Sequence, residues 1–260
     1  MDVNKLQFQY HNSGPIIRDL STSITAGKIT TIIGPNGSGK STLLSLLAKN
    51  LQPTAGQIVL SGRDLQQFTH KELARQLAVV HQQNEAPIDL TVEKLVEFGR
   101  LPYRHLFSSE TKEDHEAVAW ALDCTQLTPL RKSKLVELSG GQRQRAWIAM
   151  ALAQKTNLLI LDEPTTYLDI YYQIELLELV RSLNERLGLT IVMVLHDVNQ
   201  AVRYSDEIKV MKQGQVWAEG EPKKIISSEL MQLVYDVQAV IREDEEAGFY
   251  VVPLAAKLAD

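Results

Sequence analysis

The chain has 260 residues, of which 44% are hydrophobic and 23% are charged, and its formal net charge is −5. This composition supplies enough apolar residues for a sizeable core and excludes wholesale disorder. The negative balance provides no basic field that would attract nucleic acid or an anionic membrane surface. Cys124 is the only cysteine, which excludes an intrachain disulfide and a cysteine-based metal cluster and is typical of a reducing compartment.

The sequence shows no targeting or membrane-spanning segment. Met1 to Tyr10 is polar and mixed and lacks the basic-then-apolar order of a signal peptide. The longest apolar runs, around Leu158–Leu161 and Thr190–Leu195, have the length of strands, whereas a spanning helix needs about 18 residues. We therefore expect a soluble, intracellular protein that works at a membrane only through partners.

The N-terminal part of the chain predicts a small antiparallel side sheet. Val3–Tyr10 alternates apolar and polar residues and predicts a first strand, and Ile16–Ile24 predicts a second. A turn at Pro53–Gly56 leads into a third predicted strand, Gln57–Leu60. These strands would lean on the main sheet of the protein.

Between the second and third of these strands lies a phosphate-loop pattern, G-x-x-x-x-G-K-[ST], over Gly34–Thr42. The β-branched run Ile29–Ile33 before it predicts a buried strand, and leucines at helical spacing predict a helix over Ser41–Lys49. In that context backbone N–H groups converge on phosphate oxygens, and the helix N-terminus adds a partial positive charge. Lys40 would reach the β- and γ-phosphates, and the Ser41 hydroxyl would bind Mg²⁺.

The alternative is a glycine-rich turn that binds nothing, which is disfavoured because every required position of the pattern is filled. The residues assigned to phosphate binding are Gly34, Pro35, Asn36, Gly37, Ser38, Gly39, Lys40, Ser41 and Thr42.

The middle of the chain changes character. Thr69–Gln76 predicts a helix and Leu77–His81 a short strand, after which helical periodicity replaces strand signals as far as Gln154. The helices predicted there are Thr91–Phe98, with Thr91 as N-cap, Glu110–Asp123 and Gln142–Ala153. We interpret residues 84–154 as an inserted helical lobe, residues 1–83 and 155–220 as the core with its side sheet, and residues 221–260 as a C-terminal extension.

Strands and helices alternate again in the C-terminal part, which predicts an α/β fold with a mostly parallel sheet. The predicted elements are the buried strands Leu158–Leu161 and Thr190–Leu195, the helices Ile170–Leu187 and Val198–Tyr204, and the hairpin Glu207–Lys212 and Gln215–Glu219 around Gly214. After Pro222 the sequence predicts short helices and a final strand pair around Ala247–Gly248.

Two carboxylates, Asp162 and Glu163, follow directly after the apolar run Leu158–Leu161. The carboxyl end of a strand in a parallel sheet is where ligands collect, so we expect the pair beside the phosphate loop. Asp162 would hold Mg²⁺, directly or through water, and Glu163 would polarise an attacking water. The alternative is a surface pair that caps the next helix, which the apolar strand before it disfavours.

A third motif, Leu138–Gln142, reads Leu-Ser-Gly-Gly-Gln and precedes a predicted helix. Ser139 would cap this helix while Gly140 and Gly141 keep its N-terminus open, which makes a second anion site. Taken alone, the same residues could equally be a simple helix cap. Beside the phosphate loop and the acidic pair, the anion site is favoured.

These three motifs, in this order, resemble those of the ATPase subunit of an ATP-binding-cassette (ABC) transporter, and the resemblance spans about Val3 to Gln215. Leu-Ser-Gly-Gly-Gln is among the more specific short motifs known. The resemblance implies ATP and Mg²⁺ as cofactors. It also implies a phosphate-loop NTPase fold of the RecA-like type, with a small antiparallel β subdomain and an inserted helical subdomain.

The resemblance also assigns single residues. Tyr10 stands where the family stacks an aromatic ring on adenine, although it could also be an ordinary strand residue. Gln82 stands where the family's Q-loop glutamine contacts Mg²⁺ and water, and the adjacent Gln83 leaves the register open. Asp169 matches the family's D-loop, and His196 matches the switch histidine that hydrogen-bonds the γ-phosphate.

Two copies of the chain would sandwich two ATP molecules head to tail, as the resemblance implies. One copy supplies the phosphate loop and the carboxylates, and the other supplies the helix start formed by Ser139, Gly140, Gly141 and Gln142. Further implied partners are membrane permease subunits and, indirectly, a substrate-binding protein, with no nucleic acid. The chain would then lie on the cytoplasmic face of the cell membrane as a peripheral subunit.

Three stretches, Gly99–Tyr103, Gly140–Ala149 and Glu163–Ile170, look like importers of iron–siderophore, haem or cobalamin, with iron(III)-siderophore favoured. His81 and Leu195 depart from that pattern but remove no catalytic group. A non-transport ABC ATPase is disfavoured because the sequence has no second cassette, long coiled coil or basic patch; an exporter cassette is a further alternative.

The segment from Gln82 to about Ser109 would touch the permease, unless it is an ordinary exposed loop. Replacing Tyr103 or Arg104 should then uncouple transport while sparing ATP hydrolysis.

Overall fold

The computed structural model describes residues 1–11, 14–104 and 109–256. Its strands are β1 (Asp2–Phe8), β2 (Ile17–Ser23), β3 (Ile29–Ile33), β4 (Ala55–Leu60), β5 (Arg63–Asp64), β6 (Leu77–Val80), β7 (Leu158–Leu161), β8 (Thr190–Val194), β9 (Glu207–Lys212), β10 (Gln215–Gly220), β11 (Val237–Asp244) and β12 (Gly248–Ala256). Its α-helices are α1 (Lys40–Leu47), α2 (His70–Leu73), α3 (Val92–Phe98), α4 (Lys112–Cys124), α5 (Gly140–Ala153), α6 (Ile170–Leu187), α7 (Val198–Tyr204), α8 (Pro222–Ile225) and α9 (Ser228–Tyr235).

The chain divides into two compact units. The first consists of Met1–Gln67 with Val192–Asp260, and the second is Phe68–Ile191. The boundary between them falls inside β8, so this strand contributes residues to both units.

The first unit contains the predicted side sheet. Its strand order is β2-β1-β4-β5, and β1 pairs antiparallel with both β2 and β4. Val3, Leu6 and Phe8 of β1 are buried because alternate side chains of a strand face the same side of the sheet. The short strand β5 was not predicted from the sequence.

The first unit also contains the strands that flank the phosphate loop. All of β3 is buried, as expected for a strand covered on both faces. It lies between β8 and β9, and it runs parallel to β9 with Ile33 opposite Val210. The antiparallel hairpins β9–β10 and β11–β12 confirm the two predicted C-terminal strand pairs.

In the second unit, β7 lies between β6 and β8, and β6 and β7 are parallel with Val80 opposite Leu161. The helices α3, α4 and α5 are inserted between these two neighbouring strands in the chain. The structure therefore confirms an α/β fold with a mostly parallel main sheet, antiparallel side strands and inserted helices.

A buried ion pair holds the inserted helices together. The Arg100 Nε donates to Asp114 Oδ1 at 2.8 Å, and Thr111 also donates to the Asp114 carboxylate. Burial alone would raise the pKa of Asp114, but the hydrogen bonds from Arg100 and Thr111 outweigh it and lower this pKa to about 2. The carboxylate is therefore ionised opposite the guanidinium at neutral pH.

Several predicted boundaries were wrong by a few residues. β1 ends at Phe8, so Tyr10 lies beyond the strand, and α2 is one turn over His70–Leu73 rather than Thr69–Gln76. Leu101–Tyr103 forms a 3₁₀ turn, and residues 105–108 after it lie outside the described residues. Among the described residues, no helix combines the length and apolar character needed to cross a membrane.

Candidate functional site

The phosphate-loop residues of the first unit lie between buried β3 and α1. Gly34 has a φ of +151°, and a Cβ added there would meet the Met211 carbonyl oxygen at 2.1 Å. Gly39 has a φ of +100° and stands at the N-cap of α1, where no side chain caps the helix. Both positions therefore require glycine, and they leave the first N–H groups of α1 without a side-chain cap. This geometry suits an anion.

Two side chains add polar groups to this loop. Lys40 is only 5% exposed, and its Nζ donates to the carbonyl oxygens of Gly34 at 2.8 Å and Pro35 at 3.1 Å. The Ser38 Oγ is buried and has no hydrogen-bond partner among the described residues. A buried hydroxyl without a partner is costly, so the loop offers both a cation and a polar group to an arriving phosphate oxygen.

The turn of the β9–β10 hairpin supports the loop from the other side. The Gly214 N–H donates to the Ser38 carbonyl oxygen at 3.0 Å, and the Arg18 N–H donates to the Gly214 carbonyl oxygen at 3.0 Å. The hairpin and the side sheet therefore fix the loop's backbone before any ligand arrives.

The remaining predicted residues of the first unit are Tyr10 and His196. Tyr10 is 47% exposed and packs edge-on against Phe8, with ring centroids 4.8 Å apart. His196 is exposed at the end of β8, and the Leu195 N–H before it donates to the Ile32 carbonyl oxygen at 3.3 Å. The switch-histidine candidate and the phosphate loop therefore follow neighbouring strands.

The second unit brings Gln82 and Glu163 together. The Asp162 N–H donates to the Val80 carbonyl oxygen at 2.9 Å, which continues the β6–β7 register beyond the strand ends. The Gln82 Nε2 then donates to Glu163 Oε2 at 2.6 Å, and Thr166 Oγ1 donates to the same oxygen at 3.2 Å. Two donors thus hold the carboxylate that the sequence proposes for water activation.

The backbone at Glu163 is unusual, with a φ of +47°. A left-handed conformation at a non-glycine residue costs free energy, on the order of 1–3 kcal/mol, and such residues cluster at functional sites. The alternative role of the acidic pair as a cap for the next helix was wrong, because α6 begins at Ile170 and is capped by Asp169, which accepts from the Tyr172 N–H.

The Ser139–Gln142 motif begins α5 with a reciprocal capping box. The Ser139 Oγ accepts from the Gln142 N–H at 3.2 Å, and the Gln142 Oε1 accepts from the Ser139 N–H at 3.0 Å. A Cβ at Gly141 would lie 2.7 Å from the ring of Tyr172, and a Cβ at Gly140 would lie 3.3 Å from Leu168. Gly141 therefore permits the close approach of α5 to the start of α6, a packing role that the sequence did not predict.

The predicted Mg²⁺ ligands are Ser41 in the first unit and Asp162 and Gln82 in the second. They offer hydroxyl, carboxylate and amide oxygens, which is the donor set that Mg²⁺ prefers. Among the described residues, no cluster of three or more histidine, cysteine, aspartate or glutamate residues suits a metal ion. The candidate ligands of each unit are thus of the type that binds Mg²⁺ together with water and phosphate.

Sequence reasoning missed the surroundings of Tyr103. Its ring faces the Arg100 guanidinium at 4.0 Å, and its hydroxyl donates to the Gln154 carbonyl oxygen at 2.8 Å. Tyr103 is thus held inside the second unit, whereas Ile88, Phe98 and Leu101 of the predicted permease-contacting segment are exposed. The only sequence feature that could have indicated these contacts is the grouping of a glycine, an arginine and a tyrosine within Gly99–Tyr103.

Comparison with known proteins gives consistent matches. A family model described as "ABC transporter" matches residues 17–166. The chain is 45% identical over 250 residues to the petrobactin import ATP-binding protein FpuC of Bacillus anthracis, covering 96% of this chain and 92% of that protein. It is 46% identical over 240 residues to the ferric enterobactin transport ATP-binding protein FepC of Escherichia coli strain K12, covering 92% and 89%.

A solved structure has the same fold over nearly the whole chain. It is described as a metal-chelate type ABC transporter in an inward-facing conformation, and it matches with a TM-score of 0.85 and 30% identity. The match covers 98% of this chain and 96% of that chain.

Proposed function

Because the chain belongs to the ABC transporter family, we propose that it is the ATP-hydrolysing subunit of an importer that powers the uptake of an iron chelate, most directly an iron(III)-siderophore. The observation that carries the hydrolytic part is the 2.6 Å contact between Gln82 and Glu163 at the end of two buried parallel strands. The import of an iron chelate is supported by the named functions of the similar proteins.

ATP binding begins at the phosphate loop. The uncapped N-terminus of α1 and the backbone N–H groups from Gly34 to Thr42 bind phosphate oxygens. When ATP binds, the Lys40 ammonium group leaves the carbonyl oxygens of Gly34 and Pro35 and donates to the β- and γ-phosphates instead. The phosphates are the stronger acceptors because they are negatively charged and the carbonyls are neutral. The exposed ring of Tyr10 stacks on adenine.

Hydrolysis needs an oriented water and a stabilised developing charge. Glu163 accepts a proton from the attacking water, and Gln82 and Thr166 hold its carboxylate in place. Lys40 and His196 stabilise the charge on the peripheral oxygens of the transferred phosphoryl group. Ser41, Asp162 and Gln82 would hold Mg²⁺, which neutralises phosphate charge when it is bound.

The catalytic site is shared by two copies of the chain. The start of α5, Ser139 to Gln142, supplies its helix dipole and N–H groups to the nucleotide of the other copy, and Asp169 lies at the same interface. Tyr167, Ile170 and Tyr171, which are near Asp169 in the sequence, are exposed at 85%, 75% and 66%, and exposed large apolar side chains support an interaction surface here. Closure of this dimer couples hydrolysis to motion of the permease.

The permease contact lies in the segment from Gln82 to about Ser109. Ile88, Phe98 and Leu101 are exposed there, and residues 105–108 lie outside the described residues. A substrate-binding protein would deliver the chelate to the permease, so the chain needs no chelate pocket of its own. In this proposal the chain is a peripheral subunit on the cytoplasmic face of the cell membrane.

Growth on single iron sources tests the substrate class. A strain that lacks this chain should fail to grow on at least one iron(III)-siderophore as its only iron source, and the parent chain, but not the Glu163→Gln variant, should restore growth. The alternative importers would be favoured if the deletion strain grew normally on every siderophore but failed to grow with haem as its iron source or when growth required cobalamin uptake.

A further inference from the structure

The C-terminal end of α5 is a junction of three segments of the second unit. Arg100, which is 1% exposed, follows α3, and its Nη1 donates to the Ala153 carbonyl oxygen in the last turn of α5 at 2.9 Å. Its Nε is bound to Asp114 at the start of α4. A planar guanidinium donates in several fixed directions at once, which lysine cannot reproduce. Arg100 therefore ties α3, α4 and α5 together.

Tyr103 continues this junction. Two guanidinium groups lie over its ring, with Arg100 Cζ 4.0 Å and Arg75 Cζ 5.2 Å from the ring centroid. The Arg75 Nε also donates to the Pro102 carbonyl oxygen at 3.0 Å, and the Tyr103 hydroxyl donates to Gln154 at 2.8 Å. The turn after α3 is thereby attached both to the region of α2 and to the end of α5.

Gln154 connects the same junction to β6. It is the C-cap of α5, and its Nε2 donates to the carbonyl oxygens of Ala74 and of Leu77, the latter at 2.9 Å. Leu77 is the first residue of β6, and this short strand leads to Gln82, which is bound to Glu163. One amide side chain thus links the helix of the Ser139–Gln142 motif to the strand that positions the candidate catalytic pair.

We propose that Arg100, Tyr103 and Gln154 form a coupling joint that makes α5, the turn at residues 101–104 and β6 move as one body. The inference rests on the proposed function, in which the start of α5 contacts the nucleotide of a second copy. α5 has 14 residues, so it is a rod of about 21 Å whose first turn meets nucleotide and whose last turn carries the joint.

The joint transmits displacement because its contacts are directional and because those of Arg100, at its centre, are buried. A hydrogen-bonded network in a low-dielectric interior has few alternative arrangements, so its members shift together. The three residues are positioning residues: none is assigned to ATP, and Tyr103 acts inside the protein rather than as a contact to the permease. Leu101 lies in the same turn and is exposed, so its side chain contacts the partner and moves with the joint.

Amide hydrogen exchange on the full chain tests the joint. The background is Glu163→Gln, which retains bound Mg-ATP, and the variants are Gln154→Met and Tyr103→Phe. Gln154→Met removes the bonds to Leu77 of β6 and to Ala74 after α2 at similar side-chain volume, and Tyr103→Phe removes only the hydroxyl. Lys94→Met is the matched control, because it breaks an exposed ion pair to Glu97 on α3. Thermal unfolding verifies that each variant is folded.

In the background protein and in the control, ATP should slow exchange both at residues 140–144 and at residues 99–104. In Gln154→Met and Tyr103→Phe, ATP should still slow exchange at 140–144, whereas the response at 99–104 should be lost. The joint would be contradicted if ATP still slowed exchange at both 140–144 and 99–104 in both variants, or if it slowed exchange only at 140–144 in the background protein. Either result would leave the proposed function intact. Absence of ATP binding, or of protection at 140–144 in the background protein, would instead overturn the proposed function on which the joint rests.

Discussion

Two helices of this protein begin at motifs that the sequence assigns to phosphate, and their N-termini differ. α1 begins at Lys40 after a left-handed glycine, and no side chain caps it. α5 begins after Ser139, and a capping box satisfies the N–H groups of Ser139 and Gln142. The phosphate loop is therefore open to an anion, whereas the second motif is partly closed, because its capping box occupies the N–H groups of Ser139 and Gln142 and leaves those of Gly140 and Gly141 between them uncapped.

This difference separates two ways of using a helix N-terminus. An uncapped turn gains most from an anion, because its N–H groups have no competing side-chain acceptor. The capped turn of α5 keeps its dipole and the N–H groups of Gly140 and Gly141, but the N–H groups of Ser139 and Gln142 become accessible only when the cap opens. We expect the phosphate loop to bind ATP in the single chain, and α5 to contribute only when a second copy brings its nucleotide.

The largest expected effect is on the chemical step, which depends on Glu163 and on neither of the two helix N-termini. Glu163→Gln removes the proton acceptor and should lower kcat for ATP hydrolysis about 100-fold or more, since general-base catalysis is typically worth about 10²–10⁴-fold. ATP affinity should remain near the parental value. Steady-state hydrolysis with equilibrium nucleotide titration measures both, and Glu185→Gln, in an exposed ion pair with Arg181, is the control. Near-parental turnover would remove Glu163 from this role.

The next largest effect concerns ATP binding at the uncapped N-terminus of α1. Lys40→Ala removes the buried ammonium group and should raise the Kd for ATP about 10- to 100-fold, because a hydrogen bond to a charged group contributes about 1.5–3 kcal/mol. Lys223→Ala, which breaks an exposed ion pair with Glu243, should leave the Kd unchanged. Nucleotide titration of the monomeric chain makes the comparison. An unchanged Kd in Lys40→Ala would contradict the binding role of the loop.

At the capped end, Gly141→Ala should disturb packing rather than binding. The new Cβ would lie 2.7 Å from the Tyr172 ring, and overpacking of this kind costs about 1–3 kcal/mol. We expect a lower Tm with unchanged ATP affinity, and partial recovery in the double variant with Tyr172→Ala. Gly14→Ala is the control, since a Cβ there meets no atom within 4 Å. A weakened Kd in Gly141→Ala would show that both ends bind nucleotide in one chain.

The smallest expected effect is loss of the cap itself. Ser139→Ala should destabilise the protein by about 1 kcal/mol, as removal of a serine N-cap usually does. Ser227→Ala, the N-cap of α9, should lower the Tm by a similar amount. Only Ser139→Ala should also weaken ATP-driven dimerisation, measured by light scattering in the Glu163→Gln background. If Ser139→Ala and Ser227→Ala dimerised equally well, Ser139 would serve only to cap α5.

Much of the fold could be predicted where local patterns agree with tertiary packing. α6 and α7 have the predicted bounds, because each combines helical periodicity with an aspartate N-cap, at Asp169 and Asp197. The buried run Leu158–Leu161 was likewise a strand from end to end. The predicted helix Thr69–Gln76 shortened to one turn: the N–H groups of Arg75 and Gln76 donate only three residues back, and Leu77 already begins β6.

The site was predictable as a set of residues but not as a set of contacts. The spacing of glycines identified Gly34–Thr42, yet no local pattern indicates that Lys40 lies on the loop's own carbonyl oxygens. Gln82 and Glu163 are 81 positions apart, and their contact depends on the β6–β7 register. Gly141 looked like a residue that keeps a helix end open, whereas its packing against Tyr172 depends on a different helix.

Mixing two inactive variants tests the shared site most directly. Lys40→Ala has a defective phosphate loop and an intact Ser139–Gln142 motif. Gly140→Asp has an intact phosphate loop, but its carboxylate at the start of α5 repels phosphate. If each site combines one copy's loop with the other copy's motif, mixed dimers contain one intact site. The mixture should then hydrolyse ATP well above either variant alone, whereas a mixture no more active than its components would contradict a site shared between two copies.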